Sequence, residues 1–118
     1  MIKKTIKYTD FNGKENEETL YFNLSQTELT KMELGTQGGM SNYIKEAVES
    51  GDNGKILELF TKMLLESYGQ KSEDGKRFVK SPKMKEEFAQ SAAFDALFME
   101  FIQHPETAEA FAKGITNQ

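Results

Sequence analysis

The chain has 118 residues, a length suited to a single domain, and a formal net charge of −4 from 15 Lys+Arg against 19 Asp+Glu. With no cysteine and one histidine, His104, disulfide scaffolds, zinc fingers, iron–sulfur sites and thiol catalysis fall away. No apolar run approaches the roughly 18–20 residues of a membrane span, the N-terminus lacks a signal-peptide core, and a pI near 5.1 argues against a general nucleic-acid binder. The chain therefore reads as a small cytoplasmic α+β domain that is not an enzyme.

The first 24 residues read as a β-hairpin. Ile2, Ile6 and Tyr8 share one parity, the period-2 mark of a half-buried strand. Asn12-Gly13 signals a tight turn, because both residues tolerate positive φ. Residues 19–24 then alternate, with Leu20, Phe22 and Leu24 on one face. A lone hairpin is marginal in water, so it must pack on helices or on another strand.

Ser25-Gln26-Thr27-Glu28 has the form of a capping box, with Leu24 and Leu29 spaced as a hydrophobic staple. The spacing predicts a short helix closed by a left-handed Gly35. Ser41 is placed to cap a second helix bearing Tyr43, Ile44, Ala47 and Val48, which Gly51-Asp52-Asn53-Gly54 breaks. A third helix carries Ile56, Leu57, Phe60, Met63, Leu64 and Tyr68 at period 3.6 and stops at Gly69.

Residues 69–81 read as a turn-rich loop around Asp74-Gly75, with a short strand at Arg77-Phe78-Val79. Ser81-Pro82 restarts helix, with Met84, Phe88 and Ala92 on its inner face. Phe94, Leu97, Phe98, Phe101 and Ile102 form the densest apolar stripe, and Ser91 stands either as a cap or mid-helix. His104-Pro105 interrupts, and a last helix carries Ala108, Phe111, Ala112 and Ile115. The reading is one domain over 1–118, an N-terminal hairpin followed by five or six short helices.

Chemical motifs are sparse. Gly54-Lys55 lacks the spacing of a phosphate loop. Asp52-Asn53 and Ser72-Glu73-Asp74-Gly75 lack the alternating oxygens of a calcium loop. His104 has no nucleophile or acid pattern beside it. No cofactor and no metal is expected. Charge is uneven: residues 70–85 hold six basic residues against Glu73 and Asp74, while 86–118 hold six acidic residues against Lys113. The basic stretch around Phe78 suits a solvated or protein-contacting loop better than nucleic acid in so acidic a chain. Hydrophobic residues make up only 37%, yet 9 are Phe and 6 are Met. Such side chains adapt to irregular partners, so part of the apolar surface is expected to serve one.

Several phrases together resemble the tail assembly chaperones of long-tailed, siphovirus-type bacteriophages. Tyr8-Thr9-Asp10-Phe11-Asn12-Gly13 leads to Glu18-Thr19-Leu20-Tyr21-Phe22-Asn23-Leu24-Ser25, then Glu28-Leu29, Met32-Glu33-Leu34 and Thr36-Gln37-Gly38-Gly39. The run from Ser67 to Phe78 follows, then Phe88-Ala89-Gln90-Ser91-Ala92-Ala93-Phe94 and Leu97-Phe98-Met99-Glu100. The resemblance spans roughly residues 5–115. It departs at Lys113-Gly114-Ile115-Thr116-Asn117-Gln118, where relatives end in Asn-Gly-Ile, apolar residues and Pro.

The resemblance implies a non-catalytic assembly factor in the host cytoplasm, absent from the mature virion. Such proteins bind the apolar, helical tape measure protein, keep it soluble while tail tube subunits polymerise, and are then displaced. In many relatives a frameshifted longer form recruits the tail tube protein. Self-association is expected, and the hairpin could add edge to edge between copies. Contacts are expected at Tyr68, Lys71, Asp74, Gly75, Arg77 and Phe78, and at exposed parts of the helix bearing Phe94, Phe98 and Phe101. The plainer reading is that these glycines and aromatics only close a hairpin on the core. Rival functions are a tail-completion or connector subunit, a nucleic-acid-binding regulator using residues 71–85, and, more remotely, a small enzyme.

Overall fold

The computed structural model describes residues 1–116, leaving out the side chains of Met40, Ser41, Ile44, Val48, Pro105, Glu109, Ala112, Lys113 and Thr116. The cap expected of Ser41, the inner positions Ile44, Val48 and Ala112, and the end at Asn117-Gln118 lie outside the described residues.

Strands β1 (Ile2–Thr9) and β2 (Glu15–Phe22) form the expected antiparallel hairpin, with Ile2 opposite Phe22 and Thr9 opposite Glu15. Its turn differs from a two-residue Asn-Gly turn, because only Gly13 has positive φ (78°). The Asp10 carboxylate accepts from the Asn12 and Lys14 amides at 2.9 and 3.0 Å, while the Asp10 amide donates to the Lys14 carbonyl at 2.8 Å. This is the longer loop in which a left-handed glycine follows an Asx-stabilised turn.

The hairpin grows into a four-stranded sheet, β1-β2-β3-β4, through β3 (Tyr68–Lys71) and β4 (Phe78–Val79). The sequence places Tyr68 on the third helix and Gly69 to Lys71 in a loop, and both expectations are corrected. The segment is a strand because β2 supplies a partner, setting Tyr21 opposite Gly69 and Phe22 opposite Tyr68. Gly69 therefore does not end a helix. A Cβ there would come 2.7 Å from the Val79 carbonyl and collide with the Phe78 ring, so only glycine lets β4 lie so close.

Six helices follow among the described residues: α1 (Gln26–Gly35), α2 (Met40–Ser50), α3 (Asn53–Ser67), α4 (Pro82–Ala89), α5 (Ala92–Gln103) and α6 (Pro105–Thr116). The capping box at α1 is complete, with the Glu28 amide donating to Ser25 Oγ at 3.1 Å and the Ser25 amide to Glu28 Oε1 at 3.0 Å. Its other end corrects the expected glycine stop. Gly35 stays within the helix, and Thr36 ends it in extended backbone (φ −106°) with its hydroxyl donating to the Met32 carbonyl at 2.8 Å. Asp52 caps α3, Ser81 caps α4 with Pro82 in its first turn, and Ser91 proves to be a cap, accepting from the Phe94 amide.

The core lies between one face of the sheet and helices α3 to α6. Phe22 is 0% exposed. Its ring lies 5.0 Å from Phe111, 5.9 Å from Phe88 and 6.0 Å from Tyr68. Tyr68 stacks on Phe88 at 4.0 Å, and Phe101 meets Phe111 and Phe60 at 5.1 and 5.2 Å. Each such pair adds about 1 kcal/mol beyond area burial. Among the described side chains, the apolar stripes depart from the reading at Tyr43, Leu57 and Ile102, which are exposed, while Leu59 is buried.

The Gly69→Ala variant is expected to lose about 2 kcal/mol of stability through overpacking against β4. Urea denaturation measures this, and unchanged stability would show that β3 and β4 do not need the close approach.

Candidate functional site

The residues singled out in the sequence fall into two groups. Tyr68 and Phe101 are core: Tyr68 stacks on Phe88, and Phe101 is buried. Lys71, Asp74, Gly75 and Arg77 form the exposed tip of the β3–β4 hairpin, with Phe78 half-buried at its root. Phe94 and Phe98 are half-buried on α5, stacked at 6.1 Å, with Phe94 edge-on to Phe88 at 5.2 Å. Tip and helix are thus joined through the Tyr68–Phe88–Phe94–Phe98 series of rings.

The tip is well formed. The Ser72 amide donates to the Arg77 carbonyl at 2.9 Å, and Gly75 takes φ +74°. Asp74 accepts from the Ser72 hydroxyl at 2.7 Å and the Lys76 amide at 3.0 Å, and these bonds, the hydroxyl first, hold its carboxyl below the usual range. Asp74 therefore shapes the turn.

The basic stretch divides in the same way. Lys80 donates to Glu28 Oε2 at 2.6 Å, the Asn23 carbonyl at 2.7 Å and the Glu66 carbonyl at 2.8 Å, matching its three ammonium protons. One lysine thus ties the root of the hairpin to the end of β2, the start of α1 and the last turn of α3. Partial burial pushes the Glu28 carboxyl up, but the Lys80 hydrogen bond, the Ser25 bonds and the lysine charge outweigh it and lower its pKa. Lys85 pairs with Glu66 at 2.7 Å. Among the described residues, Lys71, Lys76 and Arg77 make no ion pair, so within this basic stretch the unpaired charge lies at the tip.

Beside the tip a groove of about 180 Å³ runs between the sheet, at Glu18, Tyr68 and Gln70, and α4–α5, at Met84, Glu87 and Ala93. Its rim is acidic. The Tyr8 hydroxyl donates to Glu18 at 2.6 Å, and that bond, with burial and the nearby carboxylates, pushes the phenol up to about 12. Burial, then Glu18 and Glu87, raise the Tyr68 phenol as well.

A second surface escaped sequence reading. Helix α1 has no buried residue, though Leu29 and Met32 pack against the main core, and among the described side chains of α2 only Ala47 is buried, outside that core. Around them Leu34 is 82% exposed, Tyr43 42% and Leu57 39%. A hollow of about 300 Å³ opens there between Thr36, Tyr43, Glu58, Leu59 and Lys62. Periodicity marks Tyr43 and Leu57 as inward, because a stripe does not say whether core or solvent faces it. Met99 and Ile102 are likewise exposed on α5.

Catalytic geometry is thin. His104 closes α5, its Nδ1 3.7 Å from Glu106, with both side chains exposed. Among the described residues, no group of three or more His, Cys, Asp or Glu is placed to hold a metal ion, and no helix is long and apolar enough to cross a membrane.

The family model for phage tail assembly chaperones matches residues 1–117, and the chain belongs to that family. No curated protein and no solved structure matches it.

The Lys80→Met variant, which strands Glu28 and two carbonyls, is expected to lose on the order of 2 kcal/mol at pH 7. Because the folded carboxyl has the lower pKa, the pair's contribution is full above the ordinary glutamate value of 4.5 and fades as pH falls through the folded one. Urea melts at pH 7 and pH 3 check this, and an equal deficit at both would contradict the ion pair.

Proposed function

We propose that this tail assembly chaperone binds the tape measure protein, keeps it soluble while tail tube subunits assemble around it, and is then displaced. The observation that carries the reading is the split among its apolar residues. Phe22, Leu64, Leu97 and Ile115 are sealed in the core, whereas Leu34, Tyr43 and Leu57 stand exposed on the α1–α3 side, and Met99 and Ile102 on α5. Large apolar side chains left in water on these helices are surface that a partner can cover. An apolar helix that would otherwise aggregate fits this chemistry, laid in a groove by its own apolar face.

The half-buried Phe94 and Phe98 add apolar surface on α5. Binding and release by surface competition need no cofactor and no chemical step, so the role is non-enzymatic. It places the protein in the host cytoplasm during assembly and outside the finished virion. A longer frameshifted form would recruit the tail tube protein, and copies along one tape measure would associate with one another.

Co-expression with the tape measure protein of the same genome tests this. The tape measure is expected in the soluble fraction only when the chain is present. The double variant Leu34→Asp, Leu57→Asp changes exposed positions, so it should keep its circular dichroism while soluble tape measure falls at least ~10-fold, about 1.4 kcal/mol of binding. A tape measure that stays insoluble beside the wild-type chain, or full activity of the double variant, would sink the proposal.

A further inference from the structure

The β3–β4 hairpin and its groove carry charges of opposite sign. Gln70 lies on the wall of the groove, opposite Val79. Lys71 lies opposite Phe78, and the Ser72–Arg77 bond continues the ladder one step. Directly opposed residues, and residues two apart, share a face. Arg77 therefore stands on the groove side of the hairpin, roughly 7 Å beyond Gln70 at about 3.3 Å per residue. Across β3 from Arg77 the groove is rimmed by Glu18, which the β2–β3 register carried on from Tyr21–Gly69 sets in the row of Ser72 and Arg77, and by Glu87 of α4. Among the described residues Arg77 makes no ion pair, and Glu87 has only a loose contact with Lys83 at 3.9 Å, both exposed. Tyr68 and Met84 supply half-buried apolar surface in the groove.

A patch with an acid on one side and a base on the other is complementary to itself. Rotation by a half turn about its centre sets each base on the other copy's acid, as a two-fold contact requires. We propose that this patch is where a second copy of the chain docks, with Arg77 of each copy over Glu87 and Glu18 of the other and each hairpin tip lying against the other copy's groove. The inference gives a surface to the self-association suggested above and does not involve the apolar α1–α3 side.

The open edge of β1 is the obvious competitor. It carries Lys3, Lys4 and Lys7, and Lys4 turns in to Glu100 at 3.1 Å. Pairing β1 with itself centred on Thr5 would set Lys3 against Lys7 twice. Edge lysines of this kind guard against strand addition. The edge of β2 is already taken by β3.

Sedimentation equilibrium of the full chain at 50 and 300 mM NaCl is the test. A monomer–dimer equilibrium is expected, weakened at the higher salt because the contacts are charged and partly exposed. Arg77→Glu and Glu87→Arg should each weaken the dimer by at least about tenfold, since the first creates four like-charge contacts and the second two. The double variant, which reverses the pair, should recover most of that loss. A dimer indifferent to both single reversals would overturn the contact while leaving self-association through another surface. A monomer up to millimolar concentration would overturn both. Neither result bears on tape measure binding, which the solubility assay reads separately.

Discussion

Phe22 holds the molecule together. It is the last residue of β2, and its ring meets Tyr68 of β3, Phe88 of α4 and Phe111 of α6. Three elements far apart in sequence thus converge on one side chain. Full burial of such a ring, with its edge contacts, is worth several kcal/mol in a protein whose whole stability is on the order of 10. The position also explains why the N-terminal hairpin is stable: its inner face is closed by helices from the other end of the chain. Gly114 permits that closure, because a Cβ there would press on Ile2.

What is local in the sequence reads directly. The capping box at Ser25, the Ser81-Pro82 start and the period-2 strand around Ile6 depend on neighbours within a few residues, and all three appear as expected. What depends on distant partners does not read. Tyr68–Lys71 has the composition of a loop and becomes a strand because β2 offers an edge. Gly69 has the look of a helix stop and is needed for the approach of β4. Lys80 sits in a run of positive charge and turns inward, since Glu28 and two carbonyls, contributed by segments 14 to 57 residues away, converge on its ammonium.

The candidate site was legible in the same partial way. Its glycine turn and charged tip are local features. The sorting of aromatics is not: Phe94, Phe98 and Phe101 lie on one apolar stripe, yet only Phe101 is buried. The exposure of Leu34, Tyr43 and Leu57 is invisible to pattern reading, because an apolar residue facing water and one facing the core can have the same spacing. For a chaperone this ambiguity follows from the role. The aromatic core keeps the fold rigid, the Lys80 anchor fixes the hairpin to it, and the remaining apolar side chains are free to be covered.

Amide hydrogen exchange of the chain alone and in complex with the tape measure protein tests that division most directly. The account expects new protection across α1, α2 and the first turns of α3, with amides around Phe22 and Phe111 already slow and unchanged. Protection confined to the β3–β4 tip, or a loss of protection in the aromatic core on binding, would contradict it.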